Sequence, residues 1–128
     1  MDTEVAYEHF AGKSLEQSVR LFEVNAIVHQ EDVMFMPRAC FSFYVKAYVA
    51  YLLSEASKGD SDAANCFFGL VDFRSAEIRL DSSTRSMIVH ALRYLAERQD
   101  WFGAEVSIYG NFEERAQTAE EHLNLGGP

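Results

Sequence analysis

Apolar side chains recur along this chain at intervals of three and four, a period that belongs to helices rather than to strands. Leu15, Val19, Phe22 and Ala26 form one such stripe, and Ser14-Leu15-Glu16-Gln17 just before it reads as a capping box. A first helix is therefore expected over about 14–29, with residues 3–11 offering a further turn or two before Gly12. Met36-Pro37-Arg38 opens a second, because proline at the first helical position forfeits no hydrogen bond. This helix should run to about Ser57 and stop near Lys58-Gly59, where glycine takes the left-handed conformation. Phe41, Val45, Tyr48 and Leu52 make one wall of it, and Phe43, Ala47 and Tyr51 another. Only a narrow seam of Ser42, Lys46, Ala50 and Ser57 remains for water, which is the pattern of a mostly buried central helix over about 37–57.

Asp60-Ser61-Asp62 caps a third helix over about 61–74, with Ala64, Phe67, Phe68 and Val71 on its core face. Ser75 to Leu80 reads as a connector or one short extra turn. A fourth helix is expected over about 83–99, started by a cap among Asp81 to Thr84 and striped by Met87, Ala91, Tyr94 and Leu95. Ile88 and Leu92 lie beside that stripe, and Arg93 and Glu97 are spaced as an exposed i,i+4 pair. Val106 and Ile108 alternate with Glu105 and Ser107, so residues 104–109 read as extended or irregular. Asn111-Phe112-Glu113-Glu114 caps a fifth helix over about 112–124. The fold class is thus all-α, a single four- or five-helix bundle over 1–128, with 1–12 and 125–128 expected to fray.

Composition narrows the function classes. The chain has 128 residues, 48% apolar and 13% aromatic, enough for one core and too short for two comfortable domains. Its formal charge of −9 is unevenly spread. Residues 1–36 and 99–128 each carry net −5, residues 37–73 carry −1, and residues 74–98 carry +2. That surface repels phosphate backbones and anionic bilayers, so no nucleic-acid or membrane partner is expected, while a basic protein would be attracted. Ala39 to Leu53 is the most apolar run, but it is short and interrupted by Lys46. Met1 to Glu4 shows no basic segment leading into an apolar one, so the expectation is a cytoplasmic protein. Cys40 and Cys66 sit among large apolar residues and read as buried reduced thiols.

Catalytic and metal motifs are missing. His9, His29, His90 and His122 are each alone, and no His-Glu-x-x-His or Cys-x-x-Cys spacing occurs, so no metal or other cofactor is expected. There is no phosphate-binding glycine loop and no Gly-x-Ser-x-Gly elbow. Two constellations suit binding. Tyr44, Tyr48 and Tyr51 form an i, i+4, i+7 stripe that serves either an interface or the edge of the core. Arg74, Arg79, Arg85, Arg93 and Arg98 are the one basic concentration, able to take a carboxylate or phosphate or to pair with the acidic ends. His90 lies among them on the fourth helix, as an exposed helix histidine or as a general base.

Phe35-Met36-Pro37-Arg38-Ala39 and Phe43-Tyr44-Val45-Lys46-Ala47-Tyr48 resemble a segment of small helical bacterial proteins, of the type Pro-x-Ala-x-x-x-Tyr-Tyr-Leu-Pro-Ala-Tyr. Extended through Phe67-Phe68 and Arg85 to Leu95, as far as Phe102, the resemblance covers about half the chain. Lys46 stands where the pattern has proline, and Phe43 where it has its first tyrosine. It implies a bacterial accessory protein of the cytoplasm and carries no catalytic residues with it. The leading expectation is a non-enzymatic protein-interaction module, immunity- or adaptor-like, with self-association as a further option. The alternative is a small enzyme or ligand-binding protein with an inter-helix pocket near His90, using Tyr44, Tyr48 and an arginine such as Arg85 or Arg93.

Overall fold

A computed structural model describes residues 14–124; the turns expected at 3–11 and the frayed ends expected at 1–12 and 125–128 lie outside that range. Every element within it is helical: α1 Leu15–Phe35, α2 Arg38–Leu52, a 3₁₀ turn Glu55–Ser57, α3 Ser61–Phe73, α4 Ser75–Leu80, α5 Ser82–Ala96, α6 Val106–Tyr109 and α7 Phe112–Asn124. The chain is an all-α bundle in which α1 packs on α2 and α3, α5 packs on α7 and α2, and α4 wedges against α5 and α7.

Local chemistry starts most of these helices. Ser14 Oγ accepts from the Gln17 amide at 3.2 Å while the Ser14 amide donates to Gln17 Oε1 at 2.9 Å, completing the capping box. Asp60 Oδ1 accepts from the Ala63 amide, and Asp81 Oδ1 from those of Ser83 and Thr84. Asn111 Oδ1 accepts from the Glu114 amide. Each satisfies donors that the first turn leaves without an intrahelical partner.

The first helix runs six residues past its expected end, and it is broken inside. Asn25 leaves the helical region (φ −156°, ψ 85°), and its Oδ1 accepts from the Val28 amide at 3.3 Å. Asparagine there acts as a second N-cap, so α1 is two helical segments joined at residue 25.

Tyr48 lies where α1, α2 and α3 meet. Its fully buried ring stacks on Phe22 at 4.9 Å and meets Phe67 edge-on at 5.2 Å, and its hydroxyl donates to the Ala63 carbonyl at 2.6 Å. Aromatic pairs of this geometry contribute about 0.5–1.5 kcal/mol beyond the area they bury. The α3 face of Ala64, Phe67, Phe68 and Val71 is buried as expected, as are Ala91 and Leu95 of the α5 stripe with Ile88 and Leu92 beside them.

The expected exposure pattern of the second helix needs correction at two positions, one in the seam and one on a wall. Ser57 is fully buried, because the backbone leaves the α-helix at Leu52 and its hydroxyl turns inward to donate to the Leu52 and Ser54 carbonyls. Phe43, assigned to a buried wall, is 43% exposed and lies beside Lys46, whose Nζ is 6.0 Å from its ring centre.

Residues 104–109 are likewise not extended: Val106–Tyr109 is a single helical turn. Gln99 imposes it from outside, donating Nε2 to the carbonyls of Ala104 and Gly110 and accepting at Oε1 from the Phe112 amide. The Tyr109 hydroxyl then reaches α3, donating to Asp62 Oδ1 at 2.8 Å and accepting from Ser61 Oγ at 3.0 Å.

Arg74, at the junction of α3 and α4, closes the corner between α1 and α2. Its Nη1 donates to the Met34 carbonyl at 3.0 Å and the Met36 carbonyl at 2.7 Å, groups that the end of α1 leaves unbonded. Nη2 meets Glu77 at 2.6 Å, and the guanidinium lies 4.3 Å from the Phe41 ring centre.

Candidate functional site

The three tyrosines of the α2 stripe have separate fates. Tyr48 and Tyr51 are buried, and the Tyr51 hydroxyl donates to Asp60 Oδ2 at 2.7 Å. Burial holds both phenols protonated well beyond the ordinary tyrosine range, with the Asp60 bond adding to the effect at Tyr51. Their hydroxyls reach a backbone carbonyl and a helix-capping carboxylate rather than water, because α3 covers that side of α2. Tyr44 is half-buried and packs edge-on against Phe43 at 4.8 Å.

His90, Arg85 and Arg93 do come together. They line an open cleft of about 410 Å³ between α5 and α7, with Ser86, Val89, Glu120 and Asn124. Positions 86, 89, 90 and 93 share one face of α5 by helical spacing, and α7 supplies the opposite wall. Arg93 does not pair with Glu97 along its own helix. It crosses to Glu120, with Nη2 to Oε1 at 2.6 Å and Nε to Oε2 at 3.5 Å, because the packing of α7 brings that carboxylate over the exposed side of α5. No tyrosine of the described residues lines this cleft.

Exposed apolar surface also lies elsewhere: besides Val106 and Ile108 of α6, two groups stand out among the described residues. On α1, Val24 is 85% exposed, Ile27 48% and Val28 36%, three β-branched residues set around the Asn25 break. Exposed Glu23 and Glu31 flank them, and Arg20 nearby is already engaged by Glu16 at 2.9 Å. At the α1–α2 corner, Phe35 meets Phe73 edge-on at 5.4 Å beside a groove that includes Met34 and Pro37. Helical spacing hid both surfaces: Val24 and Ile27 fit an ordinary stripe until the break rotates one segment against the other, and Phe73 ends α3 where Arg74 takes the buried place.

Cys40 and Cys66 are free and half-buried, and burial raises the Cys66 thiol above its ordinary range. That favours the thiol over the reactive thiolate. Among the described residues, no three His, Cys, Asp or Glu side chains gather to hold a metal ion, and no helix is long and apolar enough to cross a membrane. No family model, curated protein or solved structure matches the chain.

Proposed function

We propose that this chain is a protein-interaction module whose α1 surface docks a basic partner. The observation that carries the proposal is the cluster of Val24, Ile27 and Val28, left in water on a helix whose other side buries Phe22, Ala26 and Val33. Scattered surface apolar residues need no explanation, whereas a contiguous group bordered by charge is the form of an interface. The border is acidic, Glu23 and Glu31, at the end of the chain that carries net −5. A partner that lays apolar side chains over the valines, with lysine or arginine beside them, meets both features, and the −9 charge of the whole chain speeds its approach.

A fluorescein-labelled synthetic peptide of leucine and lysine at amphipathic helical spacing serves as the probe. Anisotropy should show saturable binding at low salt that weakens as salt rises, and the double variant Val24→Lys/Ile27→Lys should weaken it at least tenfold. The two positions are exposed, so circular dichroism should show an unchanged fold. Binding indifferent to salt, or equal in the double variant, would refute the proposal. Self-association of the chain alone that the double variant abolishes would replace the basic partner with a second copy.

A further inference from the structure

The α5–α7 cleft stands apart from the α1 surface, since α1 packs on α2 and α3. In a chain of net −9 it collects Arg85, His90 and Arg93 against one carboxylate among the described residues, Glu120. Glu120 is committed to one edge of the Arg93 guanidinium through Nη2 and Nε, which fixes that plane and leaves Nη1 open to solvent, with no acceptor among the described residues. Among the described residues, the side chains of Arg85 and His90 have no hydrogen-bond or ion-pair partner, although acidic side chains are plentiful elsewhere on the surface. Ser86 and Asn124 add neutral polar groups, and Val89 is the one apolar side chain that the described residues bring to the lining.

We propose that this cleft binds a small, soluble phosphate monoester. Arg85, Ser86 and His90 stand at different heights and angles on α5, so their donors approach from separate directions. A tetrahedral oxyanion accepts from such an array, while a planar carboxylate is satisfied by one guanidinium fork alone. Arg93, oriented by Glu120, supplies a further donor at the far end: eight residues of helix separate it from Arg85, about 12 Å of rise. That span exceeds a bare phosphate ion, and a volume of about 410 Å³ lies in the range of small-molecule sites, so the rest of the ligand occupies the space between. The cleft is open and polar, so affinity comes from charge and falls with salt.

The test is an amide NMR titration of the full chain with glycerol 3-phosphate and inorganic phosphate, against glycerol and sodium chloride at matched ionic strength. Saturable shifts should appear at residues 85–93 and 120–124 with both phosphate probes, with glycerol 3-phosphate the tighter, and not with glycerol or chloride. Arg85→Gln, an unpaired side chain whose loss leaves the fold intact, should weaken binding at least fivefold, and His90→Gln should weaken it as well. Shifts no larger than those from chloride, or an affinity unchanged in Arg85→Gln, would overturn the proposal. Equal affinity for both probes would reduce the site to one for the bare ion. Vesicles of phosphatidylcholine and phosphatidic acid should fail to retain the chain in sedimentation, and retention would move the ligand from a soluble monoester to a lipid headgroup.

Discussion

Replacing Arg74 should destabilise this protein more than replacing any other charged residue described above. The side chain is 5% exposed and joins three elements, through the Met34 and Met36 carbonyls, Glu77 and the Phe41 ring. A hydrogen bond from a charged donor contributes about 1.5–3 kcal/mol, and stripping one partner from a buried pair costs about 3–5 kcal/mol. Cation stacking on Phe41 adds on the order of 1 kcal/mol. These contributions overlap. Two deductions also apply: Arg74 Nε is buried without a partner, and Glu77 is partly solvated and recovers water when the arginine goes. Arg74→Ala should therefore cost about 3–5 kcal/mol, a third or more of the stability of a typical domain. Arg74→Met, which keeps the stem packed, should cost about 2–4 kcal/mol, because the Met34 and Met36 carbonyls lose their donor all the same. Arg74→Lys keeps the charge but has no planar fork to serve two carbonyls and a carboxylate at once, and should fall between wild type and methionine. Urea unfolding followed by circular dichroism and by the fluorescence of Trp101 measures each value. A loss below about 1 kcal/mol in Arg74→Ala, or a lysine variant as stable as wild type, would refute the assignment of Arg74 as the tie that closes the corner.

Three further expectations follow from the same geometry. Gln99→Ala removes two donated bonds and one accepted bond, and should cost about 2–3 kcal/mol, with hydrogen exchange accelerating most at the amides of residues 106–112. Tyr48 and Tyr51 are held protonated in the folded state beyond the ordinary value near 10, so the unfolded chain loses those protons first. Stability should be flat in this respect below pH 10 and fall above it towards the folded values, and absorbance at 295 nm should show these two phenols ionising together with unfolding. Leu80→Gln alters a side chain that is 73% exposed, and thermal melts should place it within about 0.5 kcal/mol of wild type, whereas Phe73→Ala, which loses the edge-on contact with Phe35, should cost about 0.5–1.5 kcal/mol.

Short-range chemistry was readable in advance; chemistry between distant segments was not. Ser14, Asp60, Asp81 and Asn111 each cap a helix through an amide three residues on, a relation that neighbouring residues determine alone. The core faces of α3 and α5 followed from period for the same reason. The turn at Val106–Tyr109 escaped because its alternating pattern is overruled by Gln99, several residues away. Spacing pairs Arg93 with Glu97 because it sees one helix at a time, whereas the observed partner, Glu120, is 27 positions along the chain. The cleft was half legible. Arg85, His90 and Arg93 share one helix and are visible together, but the wall contributed by Glu120 and Asn124 depends on the return of α7 to α5. The tyrosine stripe was ambiguous by nature, since the same spacing serves a core or a surface until α3 covers it.

Asn25 has a consequence for how the first helix opens. Helical cooperativity passes from residue to residue through consecutive hydrogen bonds, and a residue outside the helical region interrupts that relay. Residues 15–24 and 26–35 are then two units of unequal strength. The first has an exposed leading turn and buries Ser18 and Phe22, while the second buries Ala26, Gln30, Asp32 and Val33 and is clamped by Arg74 at its end. The earlier segment can melt and re-form while the later one stays in place. A ligand gripping Val24 together with Ile27 and Val28 would bridge the two and couple them, so its binding would register as slowed amide exchange in a segment it barely touches.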